Sequence, residues 1–147
     1  MGKQSKFWDR HAAGYAKSKI SDEESYQKKL KQTRDYMTPD MEVLELACGT
    51  GTTALSHAPF VKHIHGVDIS KKMLEIATSK ATAQKVKNVS FECASIDEFC
   101  QQPRQYDLIM AHSILHLVAD RDDVIRHIFK MLKPGGIFVS STVCLAG

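Results

Sequence analysis

An apolar run ends in two closely spaced glycines in the segment Val43-Leu44-Glu45-Leu46-Ala47-Cys48-Gly49-Thr50-Gly51. The apolar part predicts a β-strand, and a helix-length segment, residues 52–57, follows the second glycine. Glycine is favoured where a chain turns sharply and its backbone approaches a ligand closely. A helix that starts directly after such a turn presents unpaired N–H groups to an anionic group. The segment therefore predicts a ligand-binding loop between a strand and a helix.

Short apolar runs alternate with helix-length segments along the rest of the chain. The predicted strands are residues 42–46, 63–68, 89–93, 106–112 and 137–144. The predicted helices between them are residues 52–57, 70–84, 96–100 and 121–132, and two earlier helices are predicted over residues 5–16 and from Ser21 to about Met37. This alternation is typical of βαβ units with right-handed crossovers. We expect one α/β domain over residues 1–147, with an N-terminal helical cap (1–38) and a Rossmann-like, doubly wound core (39–147).

The composition excludes several classes of protein. Hydrophobic residues make up 43% and charged residues 25% of the 147 residues, as in ordinary globular domains. No run approaches the roughly 18 apolar residues of a membrane span, and the first six residues lack the apolar core of a signal peptide. We therefore expect a cytoplasmic protein without a membrane partner. A net charge of +3 is too small to indicate nucleic acid.

The first 36 residues are locally basic, with nine Lys or Arg against five Asp or Glu. This pattern favours a solvated helical face, and the alternative is a surface that attracts an acidic substrate. No metal is expected, because three closely spaced histidines lack convergent carboxylates or cysteines: His57, His63 and His65. The four cysteines contain no C-x-x-C pair, which favours reduced thiols: Cys48, Cys93, Cys100 and Cys144.

Two kinds of cofactor fit the glycine loop. Residues 49–54 also satisfy the dinucleotide pattern G-x-G-x-x-G/A, which a nicotinamide cofactor would use. Glu45 favours a different cofactor, because a buried carboxylate is costly without a partner. It would repel a pyrophosphate but attract a methionine moiety that carries ammonium and sulfonium charges. A nicotinamide-dependent oxidoreductase therefore stays a second alternative.

Asp68 ends the second predicted strand, 17 residues after Gly51. An acid at this position can accept hydrogen bonds from both ribose hydroxyls of an adenosine group. The alternative is that Asp68 or Ser70 only caps the helix that follows. Both kinds of cofactor contain adenosine, so this feature supports a nucleoside without choosing between them.

Four segments in this order resemble the signature of class I S-adenosylmethionine-dependent methyltransferases, in particular those that methylate small molecules. They are Glu45-Leu46-Ala47-Cys48-Gly49-Thr50-Gly51, Gly66-Val67-Asp68-Ile69-Ser70, Tyr106-Asp107-Leu108-Ile109 and Leu132-Lys133-Pro134-Gly135-Gly136. Phe7-Trp8-Asp9 with Ala12 and Tyr15 also resembles the N-terminal helix of that group. The resemblance implies the strand order 3-2-1-4-5, S-adenosyl-L-methionine as cofactor, S-adenosyl-L-homocysteine as product and a small-molecule acceptor.

The resemblance also implies a role for each residue by position. The methionine end would be lined by Glu45, Ala47, Gly49 and Gly51, and Cys48 belongs to the same predicted cofactor site. Asp68 would hold the ribose, and the adenine would be flanked by Ile69, Met73, Ala94, Ser95 and Ile96. Ser95, Ile96 and Asp97 stay open as partners of the adenine amine. Ala111 and His112 would lie beneath the sulfonium, and Tyr15 would close over the methionine carboxylate.

His112 and His116 follow the fourth predicted strand, where the methyl group would face its acceptor. A histidine there can remove a proton from an oxygen or nitrogen acceptor. The alternative is that one or both only line the pocket or pack. The motif Asn/Asp-Pro-Pro-Tyr of enzymes that methylate amino groups of nucleic acid bases is absent, which argues against DNA as acceptor.

The class I fold normally continues past the fifth strand with a helix and an antiparallel hairpin. We expect the usual sixth and seventh strands to be absent from this sequence, so the alternative function is a cofactor-binding module without catalysis. The apolar strand 137–144 would then lie at an edge. An exposed edge invites pairing. We expect it to be covered by a second copy of the chain, giving a homodimer, or by the N-terminal helices.

Overall fold

The structure, a computed structural model, describes residues 23–102, 104–111 and 121–140. The described residues form five strands: β1 (Glu42–Leu46), β2 (His63–Asp68), β3 (Val89–Cys93), β4 (Tyr106–Met110) and β5 (Leu132–Val139). Five α-helices accompany them: α1 (Glu23–Arg34), α2 (Thr52–His57), α3 (Lys71–Ala83), α4 (Ile96–Phe99) and α5 (Arg121–Lys130). A 3₁₀ turn, Ala58–Phe60, lies between α2 and β2.

The strands form one parallel sheet in the order β3-β2-β1-β4-β5, which confirms the predicted fold class. β1 lies at the centre and pairs with β2 on one side and β4 on the other. The strand order reverses between β1 and β4. The connection that follows β1 therefore leads to one side of the sheet, and the connection that follows β4 leads to the other. Ligands of open α/β sheets bind in the crevice that such a reversal creates at the carboxyl ends of the strands.

Both faces of the sheet are covered by apolar side chains, as expected for a buried parallel sheet. Leu44 points to a cluster that contains Ile128 of α5, while its neighbour Val43 points to a second cluster that contains Ala54 of α2. This division follows from the period of two along a strand. Burial of one such side chain stabilises the fold by roughly 1.5–3 kcal/mol, so the two clusters fix the layers around β1.

Three predicted strands have the observed bounds, and the last two need correction. β4 ends at Met110 and not at His112, because its last ladder pair joins Met110 to Val139. β5 begins at Leu132 and not at Ile137, and it ends at Val139 rather than at Cys144. Tyr106 pairs with Leu132 and Leu108 with Ile137, so β5 contains a bulge opposite β4.

The bulge in β5 explains why its start was missed. Lys133-Pro134-Gly135-Gly136 looks like a turn, and Gly135 has the positive φ of +81° that glycine tolerates best. Pro134 has no N–H to donate to a ladder. The strand nevertheless makes its first pair before this segment, at Leu132. Residues 141–147, over which the predicted strand continued, lie outside the described residues.

The predicted helices agree with the observed ones to within a few residues. Helix α1 begins at Glu23 and ends at Arg34, three residues before Met37. The predicted helix over residues 5–16 and the start at Ser21 lie outside the described residues. In the part of the chain that the structure describes, no helix has the length and apolar character needed to cross a bilayer.

Candidate functional site

The loop between β1 and α2 has an unusual backbone. Three of its residues have positive φ angles: 54° at Ala47, 57° at Gly49 and 79° at Gly51. The left-handed conformation costs a non-glycine residue roughly 1–2 kcal/mol, so Ala47 is strained where the two glycines are not. The loop is held by backbone hydrogen bonds, from Cys48 N–H to the Val67 carbonyl (3.0 Å) and from Gly51 N–H to the Cys48 carbonyl (3.1 Å). This conformation turns the chain from the central strand directly into α2.

Gly51 is required for close packing as well as for its backbone angle. A Cβ atom at this position would lie 2.8 Å from Ala77 Cβ and 3.2 Å from Phe91 Cζ. A Cβ at Gly66, on the neighbouring strand, would lie 2.9 Å from Cys48 Sγ. These short distances show that α3 and β2 pack closely against the loop, which fixes its position.

Asp68 holds the loop from the end of β2. Its Oδ2 accepts a hydrogen bond from Gly49 N–H (2.8 Å), and its Oδ1 accepts one from Ser70 N–H (2.9 Å). Ser70 is the N-cap of α3, and its hydroxyl accepts from Met73 N–H (3.3 Å). The capping role that the sequence left open thus falls to Ser70, while Asp68 ties the loop to the start of α3.

Two carboxylates converge on the loop. Glu45, in the central strand, is 3% exposed, and Asp68 is 8% exposed. Both act on the thiol between them: burial raises the pKa of Cys48 well above its usual value, and the negative charges of Glu45 and Asp68 raise it further. The thiol therefore stays protonated at neutral pH. A carboxylate beside the loop would attract a cationic group of a ligand at close range.

The segment after β3 is fixed by a capping box at the start of α4. Ser95 Oγ accepts from Glu98 N–H (3.1 Å) and donates to Glu98 Oε1 (2.9 Å). Ala94 N–H donates to the Asp68 carbonyl (3.0 Å), which joins this segment to the end of β2. The hydroxyl of Ser95 is thus engaged within the cap, whereas Asp97 is exposed. Of the candidates for the adenine amine, Asp97 has the more accessible polar group.

A second polar network lies on β2 and β3, at a distance along the strands from the loop. Ser90 Oγ lies 2.8 Å from His63 Nε2 and 2.6 Å from His65 Nδ1, and His65 Nε2 lies 2.9 Å from Glu92 Oε1. His57 is fully buried. Among the described residues, no group of His, Cys, Asp or Glu is arranged to hold a metal ion.

A family model described as a methyltransferase domain matches residues 37–147. The chain belongs to this methyltransferase domain family. The matched range contains the glycine loop, the acid at the end of β2 and all five strands. The family match favours a methyltransferase over a nicotinamide-dependent oxidoreductase, the second alternative that the glycine pattern allowed.

Individual relatives support the same family. The demethylmenaquinone methyltransferase of Leptospira interrogans is 37% identical over 107 residues, 70% of this chain and 43% of that protein. The malonyl-[acyl-carrier protein] O-methyltransferase of Bacillus cereus is 36% identical over 107 residues, 71% of this chain and 38% of that protein. A solved S-adenosylmethionine-dependent methyltransferase from Clostridium acetobutylicum is 30% identical, with a TM-score of 0.64, over 75% of this chain and 45% of that one. The chain spans about two fifths of the length of these curated relatives.

The structure of this methyltransferase domain brings most of the predicted cofactor residues to one edge of the sheet. Ala111 follows β4 there, fully buried, and its N–H donates to the Val139 carbonyl (3.0 Å). Ile69 is half-buried, whereas Met73 is 2% exposed and lies among the core residues. Three predicted residues lie outside the described part of the chain: Tyr15, His112 and His116.

One set of contacts to the loop was not predicted. The Lys80 ammonium, on the last turn of α3, reaches the hydroxyls of Thr50 and Thr52. Spacing along the chain gives no signal for this contact, because 28 or more residues separate the partners. A lysine on a polar helix face is ordinarily read as a solvated residue.

Proposed function

We propose that the chain is the cofactor-binding part of an S-adenosyl-L-methionine-dependent methyltransferase that methylates a small molecule. The observation that carries the proposal is the buried carboxylate of Glu45, which lies in β1 two residues before a glycine loop that Asp68 holds from the end of β2. The Glu45 carboxylate is suited to the sulfonium and ammonium groups of this cofactor and would repel the pyrophosphate of a dinucleotide.

The residues of the loop region fit the two ends of the cofactor. Ala47, Cys48, Gly49 and Gly51 would line the methionine end beside Glu45. Asp68 would accept the ribose hydroxyls. A carboxylate offers about four acceptor sites, so holding Gly49 N–H and Ser70 N–H does not preclude bonds to ribose. The adenine would lie against Ile69, Met73, Ala94 and Ile96, with Ser95 or Asp97 towards its amine.

When bound, the cofactor supplies a methyl group activated by its sulfonium. The chain's own residues would hold and align it, and effective molarities of about 10⁵–10⁸ M for oriented groups make alignment a large part of catalysis. Ala111 would form the floor beneath the sulfonium. His112 or His116 would act as general base for an oxygen or nitrogen acceptor.

A small-molecule acceptor is proposed because two relatives are named for demethylmenaquinone and for malonyl-[acyl-carrier protein]. These two names differ, so the acceptor of this chain stays open within that class. A cytoplasmic location is proposed as well. It is supported by three cysteines, Cys48, Cys93 and Cys100, that are free thiols.

Calorimetric titration tests the cofactor directly. We expect S-adenosylhomocysteine and S-adenosylmethionine to bind with 1:1 stoichiometry and NAD not to bind. The reason is that the Glu45 carboxylate near the loop would repel a pyrophosphate. Binding of NAD in preference to both adenosyl ligands would contradict the proposed function.

The variant Glu45→Gln isolates the charge in this titration. It keeps the size and shape of the side chain, so the thermal unfolding midpoint should change little. We expect about tenfold weaker binding of S-adenosylmethionine, since one interaction with a charged group is lost. Glu24→Gln, an exposed acid on α1, is the matched control. If Glu45→Gln lowers the thermal unfolding midpoint and leaves the affinity unchanged, Glu45 is structural.

We propose that the outer edge of β5 pairs with a second copy of the chain. Among the described strands, β5 has a neighbour on the β4 side only. Phe129, beside it on α5, is 58% exposed and meets Phe138 of β5 edge-to-face at 6.0 Å. Light scattering should give twice the monomer mass, and Phe129→Lys should shift the mass towards the monomer. A monomer at high concentration would contradict this proposal.

A further inference from the structure

The side chain of Lys80 contacts the glycine loop and the start of α2 across 30 and 28 residues of sequence, farther than the 19 residues that separate Asp68 from Gly49. Its ammonium lies 2.7 Å from Thr52 Oγ1 and 3.4 Å from Thr50 Oγ1, and the two hydroxyl oxygens are 3.4 Å apart. Thr50 is the residue between the two glycines, and Thr52 is the first residue of α2. One cation on α3 therefore spans the turn from loop to helix.

The contact with Lys80 matters because the side chain of Thr50 is buried. Thr50 is 2% exposed, so its hydroxyl has almost no access to water. A buried hydroxyl needs a hydrogen-bond partner inside the protein. An ammonium has three donors and no acceptor, so both threonine oxygens accept from it. The 2.7 Å contact to Thr52 has the short distance of a hydrogen bond from a charged donor, whereas the 3.4 Å contact to Thr50 is long.

The contact acts together with the close packing one turn earlier on the same helix. Ala77 precedes Lys80 by three residues, which puts both on one face of α3. Ala77 Cβ occupies the space that a side chain at position 51 would need. The small residue lets α3 approach the loop, and the lysine then fixes the loop laterally through the two hydroxyls.

The loop is thus held from two sides. Asp68 fixes Gly49 N–H from the end of β2, and Lys80 fixes Thr50 and Thr52 from α3. Backbone groups that approach a ligand bind best when their geometry is set before binding, because ordering a loop on binding costs free energy. The two anchors contact different loop residues and join the loop to opposite ends of α3, because Asp68 also accepts from Ser70 N–H at the N-cap of that helix.

We propose that Lys80 is a positioning residue of the cofactor loop, which raises the affinity for S-adenosylmethionine without contacting it. The inference rests on the proposed function, because it assumes that this loop binds the cofactor. It predicts that the lysine acts on binding of the ligand and not only on stability of the fold.

The test compares three single variants with the wild type. Calorimetry measures the affinity for the ligand, and urea unfolding measures the stability of the fold. Lys80→Met keeps the aliphatic stem and removes the donors, and we expect about tenfold weaker binding of S-adenosylhomocysteine. Lys80→Arg keeps a cationic donor and should restore affinity to within about threefold of the wild type. Lys72→Met, an exposed lysine on the same helix, is the matched control and should bind like the wild type.

Thr52→Val provides the second arm, because it removes the acceptor and leaves Lys80 in place. It should weaken binding like Lys80→Met, and the double variant should be no weaker than either single one. This arm decides the matter if Lys80→Met does not fold. Affinities of both single variants within twofold of the wild type, with only the free energy of unfolding lowered, would overturn the proposal. Failure of the wild type to bind any adenosyl ligand would overturn the proposed function itself and this inference with it.

Discussion

Gly51→Ala is expected to lower the free energy of unfolding by about 2–5 kcal/mol and to abolish measurable cofactor binding. Two costs add. The φ of +79° costs a residue with a Cβ roughly 1–2 kcal/mol. The new Cβ would also lie 2.8 Å from Ala77 Cβ, and overpacking of a well-packed region costs typically 1–3 kcal/mol. Neither Cβ atom can rotate away, so α3 or the loop must shift.

A second glycine separates these two costs. Gly135 has nearly the same φ, +81°, but a Cβ there would meet nothing within 4 Å. Gly135→Ala should therefore show the backbone cost alone, and the difference in urea unfolding between the two variants measures the steric cost at the loop. Adding Ala77→Gly to Gly51→Ala should recover part of that difference. Equal destabilisation by Gly51→Ala and Gly135→Ala would contradict the predicted steric cost at the loop.

The central strands were predictable because their sequence signals are local and agree with one another. β1, β2 and β3 are short apolar runs bounded by turn-forming residues, and their observed bounds equal the predicted ones. The strand order followed only from the family resemblance, since apolar runs alone do not state which strands are neighbours. The candidate site was predicted from the same central strands, and the structure places Glu45, Gly51 and Asp68 at or next to their carboxyl ends.

The misses have physical reasons that differ from case to case. β5 was placed five residues late because its bulge has the composition of a turn, while the pair between Tyr106 and Leu132 depends on a partner strand. The positive φ of Ala47 could not be predicted from the sequence, because alanine ordinarily avoids the left-handed conformation. The contact of Lys80 requires the tertiary approach of α3 to the loop.

One missed feature did have a local signal. Ser95-Ile96-Asp97-Glu98 is a capping-box sequence, and the structure forms both of its hydrogen bonds. Reading it as a cap would have shown that the hydroxyl of Ser95 is engaged. That leaves Asp97 as the candidate with the more accessible polar group.

Asp68→Ala is expected to weaken binding of S-adenosylhomocysteine by about 10- to 100-fold, because hydrogen bonds to charged groups contribute roughly 1.5–3 kcal/mol each. The variant also loses the acceptors of Gly49 N–H and Ser70 N–H, so the free energy of unfolding should fall as well. Asp68→Asn should not rescue it, since an amide presents a donor to one of these two N–H groups. Glu75→Ala, which removes an exposed acid on α3, is the control and should leave stability nearly unchanged.

The role of Asp68 at the ribose can be separated from its role in the loop by changing the ligand. If its carboxylate accepts from the ribose hydroxyls, the loss of affinity in Asp68→Ala should largely vanish for a 2′,3′-dideoxy analogue of S-adenosylhomocysteine. If Asp68 acts only through Gly49, both ligands should lose affinity by the same factor, because the loop is disturbed equally for each. Calorimetry of both ligands with the wild type and with Asp68→Ala gives a double-mutant-type thermodynamic cycle. The coupling free energy of that cycle measures the contact between Asp68 and the ribose hydroxyls. Unchanged affinity for the parent ligand in Asp68→Ala would remove this carboxylate from the site, and Glu45 would then be the acid that defines it.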